Sequence, residues 1–182
     1  MERTDRRIPG SRTAVIADSL TGTRLLLGPL LVGLLGAGDA LGAAAATLAF
    51  AWATDFADGR MARRASGDTR LGPWDPIADS IVGIGVLSGL VVSGRVGAPW
   101  LIGALSLFVV FVLTRNLAFG MVVQAVAYGL FIVELAVDAP GALWMLGATA
   151  AVIGVADARR FIELVLPTFF SGLGLSRARP PE

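Results

Sequence analysis

Four aspartates carry the most chemically suggestive spacing in the chain: Asp55 and Asp58 stand three residues apart, and Asp75 and Asp79 stand four apart. On a continuous helix, at ~100° per residue, Asp58 lies ~60° to one side of Asp55 and Gly59 ~40° to the other, with Ala62 between them and Arg63 ~80° round. Two acids, two small residues and a cation then share one face. Asp75 and Asp79 share a face of the following helix in the same way. Four converging carboxylates repel one another unless cations neutralise them. A donor set made only of oxygen selects hard ions such as Mg²⁺ or Mn²⁺. Two such ions could clamp a pyrophosphate during an in-line displacement. Gly59 and Ala62 would let a bulky ligand approach the helix backbone, and Arg63 could meet a phosphate.

The composition narrows the chemistry further. With no cysteine and no histidine among the 182 residues, disulfides, thiolate nucleophiles, Cys/His zinc sites and imidazole acid–base catalysis are all excluded. Taken singly, each aspartate has an ordinary explanation. Asp75 before Pro76 reads as a helix N-cap, and acids flanked by Arg60, Arg63 and Arg64 read as a solvated charged loop. For all four in register those explanations become strained, because carboxylates at a membrane boundary are costly and default to function.

The elements that must position them are membrane helices. The chain is 55% hydrophobic and 16% charged, with a mean hydropathy of +0.73, whereas soluble domains are about a quarter charged. The apolar runs predict an all-α polytopic membrane protein with six spans, near 19–37, 40–57, 76–93, 99–119, 121–138 and 141–166. The last is either one helix or a span with an amphipathic extension through Arg159–Glu163. All fifteen basic residues are arginine, and with the N-terminus inside, every one except Arg95 falls on the cytoplasmic side. Arg24 is counted there as one more cytoplasmic charge at the start of the first span. Both termini and the acidic pairs then face the cytoplasm. Residues 1–170 read as a single membrane-embedded domain, and 171–182 as a polar, disordered tail.

Together these residues resemble the signature of the CDP-alcohol phosphatidyltransferases, D-x-x-D-G-x-x-A-R-x8-G-x3-D-x3-D. The chain supplies Asp55, Asp58, Gly59, Ala62 and Arg63, then Gly72, Asp75 and Asp79. The resemblance implies a dimeric six-helix membrane enzyme that transfers a phosphatidyl group from CDP-diacylglycerol to an alcohol and releases CMP. It further implies that Asp55, Asp58 and Asp75 bind metal, that Asp79 is both ligand and general base, and that Asp58, Gly59, Ala62, Arg63 and Gly72 line the CDP-lipid site. Two Mg²⁺ or Mn²⁺ ions are the expected cofactors. The expected partners are membrane lipids and a second copy of the chain, with no nucleic acid. One departure stands out: two residues separate Gly72 from Asp75 where the family has three. Pro73 and Pro76 suggest that a loop absorbs the difference.

Ser19–Arg24 with Pro29 is similar to the L-T-x-x-R opening of phosphatidylglycerophosphate and cardiolipin synthases. Thr114-Arg115-Asn116 resembles an Arg-acid pair in their fourth span, with Asn116 in place of the acid. Glycerol 3-phosphate is therefore the leading acceptor, ahead of inositol phosphate and of phosphatidylglycerol, which would give cardiolipin. Arg115, Arg159 and Arg160 are candidates to hold the acceptor's phosphate, against an ordinary anchoring role for each. Glu134 and Asp157 could pair with Arg159 or Arg160, or shape the acceptor pocket. They also leave open an ion-coupled transporter, and the shortened Gly72–Asp75 spacing leaves open a non-catalytic membrane scaffold. The enzyme would lie in the plasma membrane with its site facing the cytoplasm.

Overall fold

The computed structural model describes residues 12–64 and 71–174; the side chains of 12, 13, 62–64 and 160 are outside that description. Among the described residues seven α-helices follow one another: α1 Arg12–Gly36, α2 Leu41–Arg64, α3 Asp75–Val92, α4 Ala98–Thr114, α5 Leu117–Asp138, α6 Pro140–Arg160 and α7 Leu166–Gly172. A 3₁₀ turn, Gly72–Trp74, leads into α3, and a π-helical turn, Phe161–Val165, joins α6 to α7. The described residues contain no strand. This agrees with the rule that backbone in lipid must satisfy its hydrogen bonds within each segment.

Four of the described helical segments are long and apolar enough to cross a membrane: Ala14–Gly36, Gly72–Val92, Leu117–Asp138 and Pro140–Arg159. Ala98–Thr114 is apolar but shorter, and α2 has the length but carries Asp55, Asp58, Arg60, Arg63 and Arg64 in its last turns. The expected sixth span is not one straight helix. Asp157 leaves helical geometry (φ −129°, ψ 17°), which kinks α6. The chain then runs through the π-helical turn into α7, which extends through Ser171 and Gly172, residues expected in the polar tail. The rest of that tail, 175–182, lies outside the described residues.

Glycine decides how α1 and α3 meet. A Cβ on Gly28 would lie 2.8 Å from the Ile81 carbonyl oxygen, and one on Gly85 would run into the Gly28 carbonyl. A Cβ on Gly89 would press on Leu35 at 2.6 Å. Without side chains at these positions the two backbones touch, the packing mode that membrane helices favour. Around the contact, Leu27, Leu31 and Leu35 of α1 share one buried cluster with Val82, Val86 and Leu90 of α3. Ala44, Ala45 and Leu48 of α2 join the same cluster from one side, and Phe131 and Leu135 of α5 from the other.

At one end of the bundle, Arg95 in the α3–α4 turn donates to the Gly38 carbonyl at 3.2 Å and to Glu134 at 3.3 Å, and also pairs with Asp138. The hydrogen bond that Arg95 donates to Asp138 leads the influences that raise its guanidinium above its ordinary pKa. Glu134 is therefore bonded to Arg95 rather than to Arg159, and it stands away from the aspartates. Its partner is set by which helix ends meet. At the opposite end, α1 begins, α2 finishes and α3 begins, and there the four aspartates gather.

Candidate active site

Three elements build the site. The last turns of α2 carry Asp55, Asp58 and Gly59; the start of α3 carries Asp75 and Asp79; α1 brings Asp18, Thr21 and Arg24. The Asp75 carboxylate does not cap α3, since Trp74 occupies that position and makes no side-chain capping bond. Asp75 instead turns inward, which removes the simple structural explanation for it. The two pairs expected from helical spacing do come together, and what they surround is Arg24. Its guanidinium is 1% exposed and bonds to Asp55 at 2.7 Å and also to Asp58, Asp75 and Asp79. Thr21 Oγ1 lies 3.3 Å from Asp58 Oδ2 and 3.2 Å from Asp75 Oδ1, with one proton to donate to one of them at a time.

The aspartates differ in exposure. The Asp58 side chain is 4% exposed and that of Asp55 is 49% exposed, so the cluster runs from the protein interior to an open rim. Ligand oxygens of Asp55, Asp75 and Asp79 lie within 4.8 Å of one another, close enough to hold a metal ion. Asp58 adds a second observation: its buried Oδ1 has no hydrogen-bond partner. A buried carboxylate oxygen without a partner is costly, and an oxygen-seeking cation would satisfy it. The residues therefore fit a hard divalent cation.

Beside the tetrad is a small pocket lined by Ala17, Asp18, Thr21, Asp58, Gly59, Gly72 and Asp75. Gly59 and Gly72 line it together, despite the short spacing before Asp75. The expected loop is instead the 3₁₀ turn of Gly72–Trp74, which keeps Gly72 at the pocket. The side chains of Ala62 and Arg63 lie outside the described residues. Arg60 stacks over Phe56, with 4.7 Å from guanidinium to ring centre, and does not join the tetrad.

A model of the CDP-alcohol phosphatidyltransferases covers residues 14–166. The chain belongs to the CDP-alcohol phosphatidyltransferase family. No curated protein and no solved structure matches it. As a CDP-alcohol phosphatidyltransferase it is an enzyme of phospholipid synthesis, a phosphotransferase for substituted phosphate groups that works in a lipid setting on CDP-linked alcohols. The family is generally dependent on a divalent metal, and the aspartate cluster is able to bind one.

The structure brings neither Arg115 nor Arg159 into this phosphatidyltransferase's tetrad. Arg115 is exposed at the α4–α5 corner with left-handed backbone (φ 57°). Its side chain is therefore not enclosed within the bundle and does not demand a buried protein partner. Arg159 is 89% exposed and pairs with Glu163 at 3.3 Å, and the side chain of Arg160 is outside the described residues. Asn116, expected only as a substitute for an acid, has a role an acid could not fill. Its Oδ1 caps α5 by accepting from the Ala118 N–H at 3.1 Å, while its Nδ2 donates to the Gly172 carbonyl at 2.8 Å and holds α7 in place.

Sequence reasoning missed the α1 contribution. Asp18, Thr21 and Arg24 recur every three residues, so they stay near one face of the helix. A polar stripe leading to a charge well inside a span was the available signal.

Proposed function

We propose that the protein transfers the phosphatidyl group of CDP-diacylglycerol to glycerol 3-phosphate and releases CMP. What carries this reading is the convergence of Asp55, Asp58, Asp75 and Asp79 beside the pocket that Gly59 and Gly72 line. Asp55, Asp58, Asp75 and Asp79 would hold two Mg²⁺ or Mn²⁺ ions, which when bound supply charge stabilisation to the pyrophosphate. Gly59 and Gly72 leave room for the nucleotide, and the family motif assigns Ala62 and Arg63 to the same ligand. The acceptor hydroxyl oxygen forms a bond to the β-phosphorus as the bond from that phosphorus to CMP breaks. The hydroxyl proton passes to Asp79, because a chain without histidine or cysteine offers a carboxylate as the plausible base. CMP is the leaving group.

Glycerol 3-phosphate is chosen over inositol phosphate and phosphatidylglycerol from the Leu20-Thr21 to Arg24 opening of α1. That opening now has a physical content, since Thr21 and Arg24 contact the aspartates directly. Arg115, Arg159 and Arg160 remain the cations assigned to the acceptor phosphate. In this reading α2 and α4 complete six spans, both termini are cytoplasmic, and the enzyme works as a homodimer in the plasma membrane. The arginine asymmetry supports that orientation.

The test is CMP release from CDP-diacylglycerol by purified protein, measured against a panel of alcohols. Turnover with glycerol 3-phosphate is expected. Turnover only with phosphatidylglycerol or inositol phosphate would replace the acceptor and leave the chemistry, and no turnover with any alcohol would favour a non-catalytic family member.

A further inference from the structure

Four carboxylates at a membrane boundary need a counter-charge, and this chain carries one of its own. Arg24 serves two carboxylates with each terminal nitrogen: Nη1 bonds Asp55 and Asp79, and Nη2 bonds Asp58 and Asp75. The oxygens it uses on Asp55, Asp75 and Asp79 belong to the carboxylates whose ligand atoms are close enough to hold a metal. A guanidinium and a hard cation that call on the same oxygens exclude each other in part. One guanidinium charge balances only one ionised carboxylate, so the tetrad keeps a claim on further cations.

The bonding is incomplete on both sides. The Arg24 Nε–H and Asp58 Oδ1 are both buried and both lack a hydrogen-bond partner. A permanent structural ion pair in so buried a setting would be expected to satisfy its remaining donors and acceptors. These two atoms instead suit an arrangement that can be exchanged.

We infer that Arg24 is a resident competitor of the divalent cations: its guanidinium gathers the four carboxylates and gives up their oxygens as the cations bind. The inference rests on the metal reading above and adds to it. Arg24 lowers the apparent metal affinity and keeps α2 and α3 from being driven apart by carboxylate repulsion whenever the cations leave. It is a positioning residue for the tetrad, and its effect is on binding and stability ahead of any chemistry.

The test uses the full chain in detergent, with Mn²⁺ alone as the probe and three proteins: wild type, Arg24→Gln and Arg24→Lys. Mn²⁺ affinity is measured by paramagnetic resonance, and thermal stability with Mn²⁺ and with EDTA. Arg24→Gln should bind Mn²⁺ at least about tenfold more tightly than wild type, because the competing charge is gone. In EDTA it should melt below wild type, with Mn²⁺ restoring it. Arg24→Lys keeps the charge but has one nitrogen to share among four carboxylates, so its affinity should fall between the other two. A bystander charge would instead leave Arg24→Lys equal to wild type, and that result overturns the inference. Equal Mn²⁺ affinity in all three folded proteins also overturns it while leaving the metal reading intact. Failure of all three to bind Mn²⁺ overturns both. Should Arg24→Gln fold only with metal, purification in Mn²⁺ followed by chelation reads the same stability difference, and Arg24→Lys supplies the affinity comparison.

Discussion

Asp18 on α1 accepts the Leu71 backbone N–H through its Oδ1 at 2.8 Å, tying the turn before α3 to the first helix. That turn carries Gly72 to the pocket and delivers Asp75, so the bond positions two parts of the site at once. Asp18→Ala should lower kcat/KM for CMP release about tenfold, as expected when a part-buried hydrogen bond worth ~1–2 kcal/mol is lost. Asp18→Asn keeps an acceptor oxygen and should recover most of the activity. Steady-state kinetics on both variants is the check, and an alanine variant with wild-type kinetics would show that the turn holds its place without Asp18.

Activity should require a divalent cation and disappear in excess EDTA. Asp58→Asn should be nearly inactive, since this buried carboxylate has one oxygen already without a partner. Asp79→Asn should separate two functions, binding CDP-diacylglycerol appreciably while losing ~10²–10⁴-fold in turnover, the range expected for loss of a general base. Equilibrium binding and CMP release measured side by side will show it. Normal turnover by Asp79→Asn would move the base elsewhere.

Gly85→Val should be the most damaging single change in the bundle away from the aspartates. The added side chain would drive into the Gly28 backbone, and overpacking of this kind costs about 1–3 kcal/mol or more. A clear fall in melting temperature is expected. Gly147→Val makes a useful control, because a Cβ at Gly147 meets nothing within 4 Å. Similar melting temperatures for the two variants would contradict the backbone contact.

Arg115 separates stability from recognition. Its left-handed backbone is strained for a residue with a side chain, so Arg115→Gly should gain about 1 kcal/mol of stability. If the guanidinium grips the acceptor phosphate, the same variant should raise the KM for glycerol 3-phosphate by roughly tenfold or more while leaving that for CDP-diacylglycerol nearly unchanged. A more stable variant with unchanged acceptor KM would remove Arg115 from the acceptor site.

The aspartates were legible in the sequence because spacings of three and four translate directly into helix faces. Which faces then meet depends on contacts between distant parts of the chain. Arg24 shows the limit. Hydropathy alone starts the first span near residue 19, so Arg24 reads there as a cytoplasmic anchor, and its type does not reveal four carboxylate partners arriving from α2 and α3. Glu134 shows another, since its bond to Arg95 requires the α3–α4 turn and the far end of α5 to be neighbours. The helical character of the chain follows from local hydropathy. The kink at Asp157 and the docking of α7 through Asn116 follow from geometry that hydropathy does not encode.

The contacts between α1 and α3 keep a nearly constant difference in residue number: Thr21 with Asp75, Arg24 with Asp79, Gly28 with Ile81 and Gly85, Leu35 with Gly89, Gly36 with Val92. The two helices run side by side in register, like the teeth of a zipper. Inserting one residue near the middle of either would turn everything beyond it by ~100° and advance it by ~1.5 Å, so the glycine contacts and the Arg24–Asp79 bond could not both survive. Drift in length along this pair is therefore closed to the lineage that carries this chain unless both helices change together.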